Sequence, residues 1–123
     1  MTGIRLGPVV LDCPEPAKLA EFYRGVLGGE VKPDRDDWVE LEVDGHTLAF
    51  QKVSSYEPPS WPDGPPQQFH LDLLVEGYAG THELVVALGA TTLDPVDPPP
   101  AEHGRTWRVY ADPVGHPFCL CMC

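Results

Sequence analysis

The chain has 123 residues, of which 42% are hydrophobic and 22% charged, with a formal net charge of -11 at pH 7. This length and balance predict one small globular domain. Only eight residues are Lys or Arg, which excludes the clustered positive charge of a nucleic-acid-binding protein. No apolar run is long enough for a membrane span, and the first residues do not resemble a signal peptide. We therefore expect a cytoplasmic protein that binds neither nucleic acid nor a membrane.

The first half of the chain predicts one strand, one helix and three more strands. Pro16 suits the first turn of the helix, and Gly28 suits its end. The pair Asp44-Gly45 predicts a hairpin turn between two strands, the first of which alternates strictly between apolar and polar residues. In chain order, the predicted elements are a strand at 7–13, a helix at 16–27, and strands at 30–32, 38–44 and 46–53.

The second half repeats that order after a segment rich in proline and glycine, residues 54–66, which reads as a linker. Gly89 ends the second helix, and Asp112-Pro113-Val114-Gly115 predicts a tight turn. In chain order, the predicted elements are a strand at 67–75, a helix at 78–88, a strand at 90–96, a proline-rich loop at 97–104, and strands at 105–111 and 116–122.

Details of the two halves also match. The first helix ends in Val26-Leu27-Gly28-Gly29 and the second in Ala87-Leu88-Gly89-Ala90, while the closing strands contain Phe50-Gln51 and Phe118-Cys119. An ordered set of matching elements indicates a repeated unit. We predict one domain, 1–123, made of two modules at about 1–53 and 67–123, joined by the linker 54–66.

Four segments carry a resemblance to a known family: GPVVLDCPEPAKLAEFYRGVLGG, WPDGPPQQFHLDLLV, ALGAT and YADPVGHPFCLC. They resemble the glyoxalase-like branch of the vicinal oxygen chelate superfamily, which includes glyoxalase I, extradiol dioxygenases, and bleomycin and fosfomycin resistance proteins. The resemblance implies an α+β fold of two βαβββ modules whose curved mixed sheets enclose a cleft. Because paired-module proteins of this type often dimerise, it also implies a homodimer.

The metal-dependent members take their ligands from the first and last strand of each module. The resemblance maps these positions onto Pro8, Gln51, His70 and Cys119. Proline offers no donor atom, and a catalytic divalent site normally needs about three good protein ligands. The resemblance thus allows a divalent metal on His70, Gln51 and Cys119, but the incomplete set favours a protein without the family's full metal site.

Strand alternation predicts which side chains face the cleft. In the strand 67–75, Phe69 and its apolar neighbours are expected to pack on the helices, so His70 and Asp72 face the cleft side by side. This pair is either a general base with its orienting carboxylate, hence catalytic, or a structural hydrogen-bond pair. Further residues are predicted to line the cleft and contact a ligand: Asp12, Gln51, Arg108, Tyr110 and Cys119.

The other tryptophan, histidine and cysteine residues are expected to have structural rather than functional roles. Trp61 and Trp107 are expected to be packing residues, and His103 and His116 to contact water. The four cysteines are expected to be reduced and partly buried.

Two functional hypotheses follow. The first is a metal-independent protein that binds a small organic molecule, cationic if the acidic balance steers it. The second is a metal-dependent lyase, isomerase or dioxygenase that uses His70 with Asp72, Gln51 or Cys119.

Overall fold

The computed structural model describes residues 3–66, 69–97 and 105–122. The chain forms two compact units, Met1–Tyr56 and Glu57–Cys123. The first corresponds to the first predicted module, and most of the predicted linker groups with the second. Each unit is described in turn.

The first unit has one helix and a four-stranded mixed sheet with the strand order β1-β4-β3-β2. Strands β1 and β4 are parallel, and the other pairs are antiparallel. Between β3 and β4, Asp44 (φ 50°) and Gly45 (φ 80°) both adopt positive φ, as a tight hairpin turn requires. The elements are β1 (Val9–Cys13), α1 (Pro16–Leu27), β2 (Glu30–Arg35), β3 (Trp38–Val43) and β4 (His46–Lys52).

The core of the first unit lies between α1 and one face of this sheet. The apolar stripe of the helix contributes Leu19, Ala20 and Tyr23, all at most 2% exposed. The ring of Tyr23 stacks on that of Phe50 in β4, with centroids 5.8 Å apart. The apolar stripe of the helix and the apolar face of the sheet therefore form one buried layer, as the sequence predicts.

The second unit repeats this topology, with the strand order β5-β8-β7-β6 and a parallel pair between β5 and β8. Its buried side chains include Tyr78, Val85, Tyr110 and Phe118. The elements are β5 (Leu71–Val75), α2 (Thr81–Leu88), β6 (Thr91–Asp94), β7 (Trp107–Ala111) and β8 (Pro117–Met122). The identical strand order confirms the predicted repeat and the α+β fold of two βαβββ modules.

Two details of the second unit differ from expectation. Strand β5 starts at Leu71, where pairing with Phe118 begins, so alternation does not govern Phe69. That residue is 90% exposed, and the expectation that it packs on the helices was wrong. Strand β6 ends at Asp94 because the next residue, Pro95, has no N–H for the ladder.

Some predicted features fall outside the described residues: positions 67 and 68 of the predicted strand, most of the loop 97–104 with His103, and Cys123. Over the ranges that are described, no helix combines the length and apolar character needed to cross a membrane.

Candidate functional site

The candidate site lies on one face of the second sheet. Across β7, β8 and β5, Val109 is paired with Cys119, and Cys119 with Asp72. Because directly paired residues in a sheet point to the same side, these three side chains share a face. The opposite face carries Phe118 and Leu120, which are at most 1% exposed. The first face is thus the one free to meet a ligand.

An open pocket of about 440 Å³ lies on this face. It combines aromatic, sulfur-containing and acidic side chains and includes no Lys or Arg among the described residues that line it. Asp72 is the one acidic residue of that lining. The lining is formed by Trp61, His70, Asp72, Thr106, Trp107, Val109, Cys119, Cys121 and Met122.

Trp61 reaches the pocket from the segment that precedes β5. This segment packs closely on the turn between β7 and β8, since a Cβ added to Gly115 would lie 2.8 Å from the Cβ of Pro58. A turn in the segment is closed by a hydrogen bond from the Gly64 N–H to the Ser60 carbonyl oxygen, 2.8 Å long. The glycine at 115, with φ 102°, thus permits the approach that holds Trp61 over this part of the sheet.

Trp107 is fixed by a cation–π contact. The Arg105 guanidinium lies 4.0 Å from the centroid of the indole ring, and Asp94 accepts a hydrogen bond from Arg105 Nη1 at 2.9 Å. That hydrogen bond lowers the pKa of the Asp94 carboxyl. Trp107 remains 44% exposed, so an oriented indole surface is available to a ligand.

Three side chains with donor atoms converge in the pocket. His70 Nε2 lies 3.1 Å from Asp72 Oδ1. The donor atoms of His70, Asp72 and Cys119 all lie within 4.8 Å of one another. The His70 and Asp72 side chains are 40% and 55% exposed, so both can reorient at little cost.

Cys119 is a neutral thiol at physiological pH. Burial raises its pKa to about 11, and the neighbouring Cys121 and Asp72 add to the shift. Because the thiolate is the reactive form, a free Cys119 is a poor nucleophile. As a ligand it would have to release its proton to solvent when a cation binds.

The structure brings together His70, Asp72 and Cys119 of the predicted site residues. In the first unit, Asp12 and Gln51 are paired across the parallel strands β1 and β4, and both are exposed. Their proposed ligand contacts remain predictions.

The predicted placement of Arg108 and Tyr110 beside Cys119 was wrong. They are paired with Leu120 and Phe118, and are 3% and 1% exposed. A shift of one residue along a strand moves every side chain to the other face. In their place, Trp107 and Val109 line the pocket.

The polar ends of the two buried residues meet partners inside the second unit. The Arg108 guanidinium lies 3.8 Å from the centroid of the Tyr78 ring. The Tyr110 hydroxyl lies 2.8 Å from His82 Nδ1 in α2, and burial raises the pKa of Tyr110. These contacts make Arg108 and Tyr110 part of the core.

His116 was expected to contact water, but its main partner is a carboxylate. Its Nδ1 lies 2.7 Å from Asp112 Oδ2, and the Asp112 side chain is fully buried. The other oxygen of Asp112 accepts hydrogen bonds from the N–H groups of Val114 and His116. The pair stabilises the turn before β8.

The two sheets differ at the position of His70. His70 stands two residues before Asp72, which is paired with Cys119. In the first sheet, Val10 stands two residues before Asp12, which is paired with Gln51. By strand pairing, the residue that corresponds to His70 is Val10 rather than Pro8. Neither the Val10 nor the Pro8 side chain has an atom that could bind a metal.

Comparison with known proteins bears on these features. A family model described as a glyoxalase-like domain matches residues 8–121. No curated protein sequence matches the chain.

Among solved structures, the fold is similar to that of hypothetical protein SA1046 from S. aureus, with TM-score 0.71, 19% identity, and 98% of this chain and 95% of that chain covered. It is also similar to that of a glyoxalase/bleomycin resistance protein/dioxygenase family enzyme from Burkholderia phytofirmans PsJN. The TM-score is 0.69 at 15% identity, with 97% of this chain and 98% of that chain covered. A third similar structure is that of fosfomycin resistance protein FosX from Mesorhizobium loti. Its TM-score is 0.68 at 14% identity, with 97% of this chain and 92% of that chain covered. At these identities the likeness shows the fold.

Proposed function

Because this chain belongs to the glyoxalase-like domain family of the vicinal oxygen chelate superfamily, we propose that it binds a small organic molecule in the pocket of its second unit. The pocket, at about 440 Å³, has the size of known small-molecule sites. Apolar and aromatic walls with a few polar groups are typical of such sites.

The composition of the lining carries the proposal further, to an organic cation with an aromatic or apolar body. Asp72 supplies a carboxylate without a lysine or arginine among the described lining residues. Trp61 supplies an indole ring, the side chain best suited to contact a cation through its face. Trp107, whose ring already has the Arg105 guanidinium 4.0 Å from its centroid, supplies a second indole to the lining. The net charge of -11 attracts cations over a longer range.

The first unit supports binding without the family's full metal site. Val10 and Pro8, the two residues that correspond to His70 by strand pairing and by resemblance, have no side-chain donor atom. In the first unit, Gln51 is therefore the one metal ligand that the resemblance implies. A protein of this kind acts by sequestering its ligand.

A ligand panel tests the proposal. The melting temperature of the purified chain is measured with aromatic amines, quaternary ammonium compounds and bleomycin-type compounds, each paired with a neutral compound of the same shape. Ligands that bind the folded state raise the melting temperature, and we expect this for the cations. The matched variants are Asp72→Asn and Asp12→Asn, which alter corresponding strand positions. A shift that Asp72→Asn retains, or that the neutral compounds produce equally, contradicts the proposal.

A second candidate function is a metal-dependent lyase, isomerase or dioxygenase, with His70 and Asp72 as catalytic residues. It is favoured by one observation, the donor atoms of His70, Asp72 and Cys119 within 4.8 Å of one another. The resemblance names Gln51 as a further ligand. Metal analysis of freshly purified protein, compared with His70→Ala, tests it: stoichiometric metal that disappears in the variant supports the enzyme.

The proposal also places the protein in the cytoplasm as a homodimer. The described cysteines Cys13, Cys119 and Cys121 form no disulfide bond, which fits a reducing compartment. Sedimentation equilibrium measures the mass of the particle, and a mass of 13.5 kDa for the particle in solution would contradict the dimer.

A further inference from the structure

We propose that the turn between β7 and β8, residues 112–116, is a positioning element of the ligand pocket. Through the contact between Gly115 and Pro58, it fixes where Trp61 stands in the pocket wall and so sets the affinity for a ligand. The effect on affinity rests on the proposed function, whereas the placement of Trp61 is a property of the chain without a ligand.

Trp61 is the part of the wall whose place the sheet does not determine. The other described lining residues belong to β5, β7 or β8 or stand next to one of these strands. Trp61 is half-buried and lies in the segment 57–64, which forms neither a strand nor a helix. Its position therefore depends on what this segment packs against.

The turn is a rigid support for that segment. The Asp112 side chain is fully buried, and its Oδ1 accepts hydrogen bonds from two N–H groups of the turn. The Gly115 N–H donates to the Asp112 carbonyl oxygen, and the Asp112 N–H donates to that of His116, both at 2.9 Å. Pro113 packs on the end of α2, because a Cβ added to Gly89 would lie 3.2 Å from the Pro113 Cγ. Held in this way, the turn yields less readily than the segment when the two are pushed apart.

The contact between the turn and the segment has no spare room. Gly115 has a φ of 102°, which favours glycine, and an added Cβ would lie 2.8 Å from the Pro58 Cβ. Non-bonded carbon atoms prefer about 3.5–4.0 Å, so a methyl group there displaces Pro58 by about 1 Å. Trp61 follows three residues later, in the turn that the Gly64 N–H closes on the Ser60 carbonyl oxygen. A binding site must hold its groups to within about 0.5 Å, so this displacement is large enough to lower affinity.

The variant Gly115→Ala tests the positioning role in the full chain. Nuclear magnetic resonance follows the Trp61 indole N–H signal without ligand, and calorimetric titration measures affinity for the cations of the panel. We expect the Trp61 signal to shift, while that of Trp38 in the first unit stays in place. Affinity should fall about threefold to thirtyfold, at most the loss of one cation–π contact.

The control variant is Gly80→Ala, in the same unit. Gly80 has a φ of +84°, and an added Cβ would meet none of the described residues within 4 Å. The variant thus carries the cost of a left-handed backbone without a displaced neighbour. We expect its affinity to remain within about twofold of the unmodified chain. Urea denaturation confirms that each variant is folded under the conditions of the titration.

A double-mutant cycle separates the contact from the backbone cost. Pro58→Gly removes the Cβ that the added methyl group would overlap, and the remaining neighbours, Pro58 Cα and Pro59 Cδ, would lie at an ordinary 3.7 Å. In a Pro58→Gly background, Gly115→Ala should therefore change affinity by no more than about twofold. Pro58→Gly alone breaks the contact from an exposed position, so it folds and should also shift the Trp61 signal.

Three results would overturn the proposal: an unmoved Trp61 signal in Gly115→Ala, an equal loss of affinity in Gly80→Ala, or a loss that persists undiminished in the Pro58→Gly background. If Gly115→Ala alone does not fold, an unmoved Trp61 signal in Pro58→Gly overturns it. If no cation of the panel binds the unmodified chain, the proposed function fails, while the Trp61 signal of the ligand-free variants still decides the positioning role.

Discussion

Asp72 and Cys119 stand opposite each other across the parallel strands β5 and β8, as Asp12 and Gln51 do across β1 and β4. The repeated topology thus places a carboxylate beside the last strand in both units. The two units differ in the residue that stands two positions before this carboxylate. It is His70 in the second unit and Val10 in the first. This one difference turns a paired carboxylate into part of a three-donor cluster.

The first prediction concerns the two faces of β7. Trp107→Ala removes a pocket wall and should lower affinity for an organic cation by about fivefold to thirtyfold, the loss of one partly desolvated cation–π contact. Tyr110→Phe alters the opposite face and should leave affinity unchanged, while the lost hydrogen bond to His82 costs about 1 kcal/mol of unfolding free energy. Calorimetric titration and urea denaturation measure the two effects. Equal losses of affinity in both variants would show that the assignment of faces is wrong.

The second prediction concerns the thiol of Cys119. With a pKa raised to about 11, it carries much less thiolate at pH 8 than an ordinary cysteine, and higher intrinsic nucleophilicity only partly offsets this. Alkylation by iodoacetamide at pH 8 should be about tenfold slower than for the same cysteine in urea. The rate should keep rising between pH 9 and 11.

Mass spectrometry of the peptide that contains Cys119 measures this rate, and Cys119→Ser identifies the signal. The described Cys13 is fully buried and serves as the protected reference. A rate at pH 8 equal to that in urea would contradict the raised pKa.

The third prediction compares two phenylalanines of the second unit. Phe118 is 0% exposed and stacks on Tyr110, with ring centroids 5.6 Å apart, so Phe118→Ala should cost about 3–5 kcal/mol of unfolding free energy. Phe69 is 90% exposed, so Phe69→Ala should change it by no more than about 0.5 kcal/mol. Urea denaturation distinguishes them. A large cost for Phe69→Ala would restore the packing role that strand alternation first suggested.

The fourth prediction concerns two glycines of the first unit with similar backbone angles. Gly29 has φ +89°, and a Cβ there would overlap the Glu42 carbonyl oxygen and lie 2.8 Å from the Val43 Cβ. Gly45 has φ +80° with open space around it. Gly45→Ala should cost about 1–2 kcal/mol for the left-handed conformation alone, and Gly29→Ala about 1–3 kcal/mol more for the overlap. Similar thermal denaturation curves for both variants would contradict this account.

Local signals in the sequence predicted most of the fold. Helical periodicity, the glycines after each helix and the hairpin at Asp44 and Gly45 all act over a few residues. The matching order of elements in the two halves then predicted that the chain contains two modules. The pairing of β5 with β8 is different, because a long crossover joins these parallel strands and no local turn sets their register. The closeness of Asp72 to Cys119 therefore required the structure.

The face of β7 was misjudged for another reason. Its residues alternate between Trp107 and Val109 on one side and Arg108 and Tyr110 on the other, so both faces carry an aromatic ring. Strand alternation separates the two faces but does not say which one is open. The Tyr78 ring and His82 receive the polar ends of Arg108 and Tyr110 inside the unit. Buried polar groups with partners are ordinary in proteins, and sequence alone does not reveal the partners.

The most direct test of the proposed function follows the indole N–H signals of the three tryptophans during titration with the tightest-binding cation of the panel. Trp61 and Trp107 line the pocket, whereas Trp38 belongs to the first unit and donates its indole N–H to Glu40 at 2.9 Å. Nuclear magnetic resonance should show saturable shifts of the Trp61 and Trp107 signals, which disappear in Asp72→Asn. Saturable binding that leaves both signals unmoved would contradict the assignment of this pocket.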